Sequence, residues 1–427
     1  MKRLLVVLFG LFFGNVSYGA NAVNVQYLHN LISRMHQVDL KYNTSLPSPG
    51  MIVNMKYLLM SVDLANKKLN GVKTTDYINS QYATEAAADT VAVSYVVKNL
   101  IKKVVEDEEQ GGEFWMTPAG SSTTFSFTIS AAGNYVIDWG DGSTAEVINK
   151  TDTNTATYSH TYSSAASNYK IALSGQATKY STNDETAAVA FTGTSSASKL
   201  SAIEGCLGCI FGTLADGSQP RFFQTFRYNS ALKTLPDELF SGIYGDSVTR
   251  MFRRTFQYCS GLTELPAGLF AGLRGQPAQS MFSSTFDRCT SLKRLPEGLL
   301  DSFYGYPVYE MFNNTFCNCT SLEEIPAGLF KNINGTPASK MFNYTFENCT
   351  KLTSIPADLF GNLEGELAAS TFSYMFKGCS GLTGESAKIN GQYLYEIWPD
   401  ATSSQVNDMY NGCSKLTDYS TMPTVWK

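Results

Sequence analysis

Residues with chemistry to offer are few here: three histidines, nine cysteines and one close pair of aspartates in 427 residues. Asp138 and Asp141 lie three apart in YVIDWGDGS. Carboxylates beside carbonyl oxygens suit calcium, but the same residues shape turns by accepting backbone hydrogen bonds. We expect the turn and keep calcium as the weaker alternative. His160, in YSHTY, reads as a structural group. His29 and His36 are seven apart on a predicted helix, whereas a helical metal pair usually needs a spacing of four, so both are placed on the surface. No GxSxG, HExxH, phosphate-binding loop or dinucleotide fingerprint occurs. Neither catalytic residues nor a cofactor are therefore expected. A secreted hydrolase would need carboxylates brought together from distant positions.

Cys259, Cys289, Cys319, Cys349 and Cys379 recur every thirty residues, and Cys413 has a similar setting. An odd total cannot pair completely. We expect a ladder of buried thiols acting as small apolar groups, because bonding between neighbours would displace each from its regular place. Cys206 and Cys209 form a CxxC in EGCLGC. A redox motif would need a thioredoxin-like helix start, and zinc a second CxxC or paired histidines. Neither is present, which leaves a local disulfide or buried thiols.

The remaining chemistry is that of binding. A thirty-residue unit runs without insertion from 221 to about 380, its clearest copies opening MFRRTFQYCSGLTELP, MFSSTFDRCTSLKRLP, MFNNTFCNCTSLEEIP and MFNYTFENCTKLTSIP. Fixed-period similarity marks units that bury their apolar faces only by stacking on neighbours. Between constant leucines each unit carries a variable pair: Lys233 and Thr234, Thr263 and Glu264, Lys293 and Arg294, Glu323 and Glu324, Thr353 and Ser354. If one member of each pair points outward, stacking aligns a mixed-charge stripe for a protein or glycan ligand. A merely solvated face is the competing expectation.

These residues need elements to hold them. Met251, Phe252, Thr255, Phe256 and Cys259 fall on one stripe of a short helix. Leu262 and Leu265 flank a brief strand, and Leu269, Phe270 and Leu273 face a second helix closed by Gly275. The array is thus expected as an α/β solenoid over 196–427, with atypical end units. Over 113–195, alternation as in Phe125, Phe127 and Ile129 predicts an antiparallel sandwich. Residues 21–112 read as short helices and an acidic, glycine-ended linker. Lys2 and Arg3 before an apolar run, then small residues near Ala20, lay out a secretory signal over 1–20. Export to the cell surface, the medium or the periplasm follows, with no membrane span. Removing that signal makes the formal charge of −5 more negative by two, which argues against nucleic acid as a partner.

The repeats resemble the leucine-rich repeats of BspA-like surface proteins, in which phrases such as MFxxTFxxCxxLxxLP recur. YVIDWGDGS and YSHTY make 113–195 similar to PKD domains, with Trp139 in the core of an immunoglobulin-like sandwich. These resemblances imply an exported recognition or adhesion protein of bacterial type, with the sandwich as a spacer or interaction module. The alternative is a structural protein that self-associates in a surface layer.

Overall fold

Strict alternation makes the first half sheet. In β2 (Thr124–Ile129) Phe125, Phe127 and Ile129 are buried while the residues between them are half-exposed. The computed structural model describes residues 113–195 and 199–427. The expected export signal (1–20) and the expected helical region with its linker (21–112), including His29 and His36, lie outside the described residues. β1 (Glu113–Pro118), β3 (Ala132–Asp138), β4 (Glu146–Lys150), β6 (Ile171–Lys179) and β8 (Leu200–Gly205) form one sheet, in the order β4-β3-β6-β1-β8. β5 (Ala156–Thr161), β2 and β7 (Val189–Ala190) form a second, in the order β5-β2-β7. All of these pairings are antiparallel. Their inner faces meet where Phe127 of β2 packs 6.1 Å from Trp139, just after β3.

The repeats correct the expected fold class. Helix among the described residues is confined to three single turns, α1 (Leu207–Ile210), α2 (Leu394–Ile397) and α3 (Ser403–Val406), and two 3-10 turns. None lies between 221 and 380, so the α/β solenoid of helix, strand and helix is not what this sequence forms. Arg254, Tyr258, Ser284, Arg288, Asn314 and Asn318 instead have φ between 57° and 64°, in the left-handed region. An α-helix cannot pass through such a residue every fourth position.

The hydrogen bonds show what replaces it. The N–H groups of Arg253, Thr255, Gln257 and Cys259 each donate to the carbonyl three residues back. Those of Phe252, Arg254, Phe256 and Tyr258 donate to Met281, Ser283, Thr285 and Asp287 of the next unit, at 2.8–3.0 Å. Tight turns thus alternate with rungs, and over this segment every second N–H is satisfied only through the neighbouring unit. The expected strand shrinks to single parallel bridges such as Arg294 with Glu324.

The misreading has a geometric cause. Positions i, i+1, i+4, i+5 and i+8 fit a period of four as well as one of 3.6. Across eight steps the two diverge by only about 80°, less than the width of a core-facing stripe.

What the stacking buries is as expected. Leu232, Leu262, Leu292, Leu322, Leu352 and Leu382 are fully buried. Phe226, Phe256, Phe286, Phe316, Phe346 and Phe376 stack face to face, with successive centroids 5.4–5.6 Å apart. Each such side chain contributes roughly 1.5–3 kcal/mol by leaving water. Phe191, next to β7, extends this column at 5.6 Å from Phe226, and Tyr410 closes the other end at 5.8 Å from Phe376. The sheets therefore share one continuous core with the repeats and cap the first rung.

Candidate recognition surface

Stacking places the variable pairs as a stripe. The N–H of Thr263 donates to the carbonyl of Lys233, Lys293 to Thr263, Glu323 to Lys293 and Thr353 to Glu323, at 3.0–3.2 Å. Four successive bonds hold five units in register, so Lys233, Thr263, Lys293, Glu323 and Thr353 form one column. Glu264, Arg294, Glu324 and Ser354 form the column beside it. The stripe required one outward member in each pair, and both reach solvent: Lys293, Arg294, Thr353 and Ser354 are exposed, as are Glu264 and Glu324, with Thr263 and Glu323 half-exposed. Alternation fails because the segment between the leucines is irregular, with at most a single bridge, and not a pleated strand. Thr263 and Thr353 also donate their hydroxyls to the carbonyls of Lys233 and Glu323. Among the described residues the charged groups of this stripe enter no ion pair.

Asp138 and Asp141 shape the turn after β3. Asp138 accepts the N–H of Gly140 at 2.9 Å, and Asp141 accepts that of Ser143 at 3.0 Å. Gly140 is required there: its φ is 76°, and a Cβ would lie 2.2 Å from the Lys170 carbonyl oxygen. The second Asp141 oxygen meets His160 Nε2 at 2.7 Å. Hydrogen bonding by the Ser143 side chain, then by His160 and then by the Ser143 N–H, holds Asp141 down to about 2. His160 lies flat on Trp139, with centroids 5.1 Å apart, and Tyr162 donates its hydroxyl to the Trp139 carbonyl at 3.0 Å. Both aspartates and the histidine are thus engaged in one turn. Among the described residues no cluster of three or more His, Cys, Asp or Glu is placed to hold a metal ion.

Cys206 and Cys209 are joined in a disulfide at the start of α1, and the other seven cysteines are free and buried. Cys259, Cys289, Cys319, Cys349, Cys379 and Cys413 each donate Sγ–H to a phenylalanine carbonyl of the preceding rung, at 3.0–3.3 Å. Burial pushes the Cys259 thiol up to about 12, so these are packing groups and not nucleophiles.

Two features escaped sequence reasoning. Some of the variable residues inside MFxxTFxxC make a second outward face, because a turn of period four sends them away from the Phe column, while others, such as Gln257, Ser283 and Asp287, are buried between rungs. Its members include Arg254, Tyr258, Arg288 and Asn318, with Tyr228 against Tyr258 at 4.7 Å and Tyr344 against Tyr374 at 4.4 Å. The signal was the changing x positions, hidden by assigning them to the outside of a helix. Tyr304, Tyr306 and Tyr309, exposed by 59, 73 and 38%, form the second feature. They belong to one unit, in whose segment DSFYGYPVYE Tyr306 and Tyr309 replace small and polar residues of the others, while Tyr304 has a counterpart in Tyr244. Among the described residues no helix is long and apolar enough to cross a membrane. Comparison with family models, with curated proteins and with solved structures finds no match.

Proposed function

We propose that the protein is an exported, non-catalytic recognition or adhesion protein whose repeat array presents its outward side chains to a protein or glycan. The observation that carries this is the registered stripe from Lys233 to Thr353, where a fixed backbone holds charged side chains that pair with nothing among the described residues. Fixed rungs with free, variable side chains suit a surface that binds over many small contacts. The test is binding of the full chain to arrayed glycans and proteins, repeated with Lys293→Glu, Arg294→Glu, Glu323→Lys and Glu324→Lys combined. These four residues lie outside the core, so the variant should keep its circular dichroism and lose its partner. Undiminished binding by a folded variant would remove the stripe from the account. Protease added to intact cells should cleave the protein if it works outside the cell.

Self-association is a second reading, favoured by Tyr304 and Tyr306, whose rings stand open to solvent. Exposed aromatic clusters are characteristic of contact surfaces. Sedimentation of Tyr304→Ser with Tyr306→Ser should then show fewer oligomers than the parent chain; an unchanged distribution counts against it.

A further inference from the structure

An open groove of about 500 Å³ crosses the second outward face at the end nearest the sheets. Its floor is the column Tyr228, Tyr258, Arg288 and Asn318, one residue per rung. A parallel column of Ser230, Ser260, Thr290 and Thr320 supplies one hydroxyl per rung, and Lys199 lines the end. The two tyrosines are clamped between cations: Arg227 sits 4.5 Å from the Tyr228 centroid and Arg288 sits 5.1 Å from that of Tyr258. Stacking fixes both guanidinium planes before any ligand arrives, which lowers the ordering cost of binding.

Positive charge is in excess around this groove. Arg253 and Arg254 lie on the same face, and the buried Nε atoms of Arg227, Arg253 and Arg254 have no hydrogen-bond partner among the described residues. The nearby acids are largely committed. Glu185 is shared by Arg250 and Arg253, at 3.3 and 3.8 Å. Asp287 accepts from Gln257 through Oδ2 at 2.7 Å, while its buried Oδ1 has no hydrogen-bond partner among the described residues and stands 3.9 Å from Arg288.

The lining selects among anionic partners. Both tyrosine rings are stacked on one another and on guanidinium groups, so no ring face is left open for a nucleic-acid base to stack on. Tyr228 and Tyr258 are engaged with each other and with guanidinium groups and no other aromatic or aliphatic side chain lines the groove, so it offers no unengaged aromatic anchor to a protein partner. Evenly spaced hydroxyls, an amide and planar guanidinium forks match a polyol chain carrying carboxylate or sulfate groups. On the reading that the array is a recognition surface, we propose that this groove binds an acidic polysaccharide, with Arg288 and Lys199 taking its anionic groups and the Ser/Thr column its hydroxyls.

The test is titration of the full chain with polygalacturonate and with heparin, which separates carboxylate from sulfate recognition, using dextran and oligo(dT) as controls. At least one acidic glycan should bind, more weakly as salt rises, while dextran and oligo(dT) should not. Lys199→Gln with Arg288→Gln should weaken that binding by about tenfold or more, and Lys179→Gln with Lys415→Gln, at exposed residues that do not line the groove, should leave it unchanged. Because Arg288 also packs on a tyrosine, Ser260→Asp with Thr290→Asp is a second arm, which adds repulsion without touching the stack and should weaken binding similarly. Equal binding of dextran, tighter binding of oligo(dT), or indifference to both groove variants would overturn the proposal. If neither acidic glycan binds while arrayed partners still do, the groove assignment fails and the recognition function stands.

Discussion

Ser284 separates a coil of period four from a helix by the sign of one measurement. It lies in the middle of the apolar stripe running from Met281 to Cys289, at φ 57°, and its hydroxyl makes no side-chain hydrogen bond among the described residues. Glycine and alanine substitutions both remove that hydroxyl, so the loss cancels between them. In the left-handed region an L-residue is disfavoured by roughly 1–2 kcal/mol, whereas glycine is unstrained but gives up about 0.5–1 kcal/mol more backbone entropy on folding. Ser284→Gly should therefore be more stable than Ser284→Ala by about 0.5–1 kcal/mol. A helix would reverse the order, alanine exceeding glycine by about 1 kcal/mol. Urea denaturation of both variants at equal slope resolves the difference as a shift in midpoint. Ser370, at φ 56°, offers an independent repeat of the comparison. If alanine proves the more stable at both sites, the left-handed rungs and the hydrogen-bond pattern built on them are wrong.

Phe286→Ala, in the middle of the stacked column, should destabilise by about 3–5 kcal/mol, since its neighbours at 5.5 and 5.6 Å are themselves held by rungs and cannot collapse into the space; a calorimetric or urea shift worth under 1 kcal/mol would contradict this. The seven free cysteines should resist Ellman's reagent in the native protein and react together on unfolding without reductant, while any thiol titrating rapidly in the folded state would remove it from the core. Asp141 is held below its ordinary 3.8, so its hydrogen bonds stabilise the turn fully above that value and fail as pH falls through about 2. A carboxyl carbon titration by NMR should show this midpoint, moving upward most in Ser143→Ala and less in His160→Gln; no movement in either would refute the assignment.

Burial was far more legible in the sequence than backbone path. Every leucine and phenylalanine assigned to the ladders is inside, because recurrence at thirty residues reports which side chains share an environment whatever the chain does between them. The alternation around Phe125 and Phe127 likewise gave antiparallel sheet, since a period of two has no close competitor. Helix and four-residue turn do compete, and nine residues are too few to separate them. One clue was available: four-residue turns need left-handed positions, where asparagine is favoured, and Asn314, Asn318 and Asn348 occupy them. Arg254, Tyr258 and Tyr344 stand at equivalent positions in other units, however, and masked it. For the candidate surface, the stripe was found because its residues lie between leucines. The groove was missed because its residues were assigned to a helix that does not form.

The two fixed polar residues of each unit explain why the outward faces are free to vary. Thr285 donates Oγ1–H to the Phe252 carbonyl at 2.9 Å, and Cys289 donates Sγ–H to that of Phe256 at 3.3 Å. Those same carbonyls already accept the N–H groups of Thr255 and Cys259, so each interior oxygen is shared between a turn and the next rung. Specificity of stacking is thereby carried inside, by Thr, Cys and Phe, and nothing on the outward faces is needed to set the register. Asn229 shows the rule by its exception. It stands where other units have cysteine, at the rung that meets the sheets, and there one amide both donates to the Phe191 carbonyl at 2.6 Å and accepts the Leu200 N–H at 2.6 Å. A thiol can donate, but it is a poor acceptor for that second bond. The position that looked diverged is therefore the one that joins two architectures. Its departure from the repeat follows from its neighbours, whereas the charged groups of Lys293, Glu323 and Glu324 enter no ion pair among the described residues, and Tyr258 and Arg288 meet partners within their own outward column. Side chains that the fold leaves unconstrained while holding their backbones in register are the ones available to a ligand.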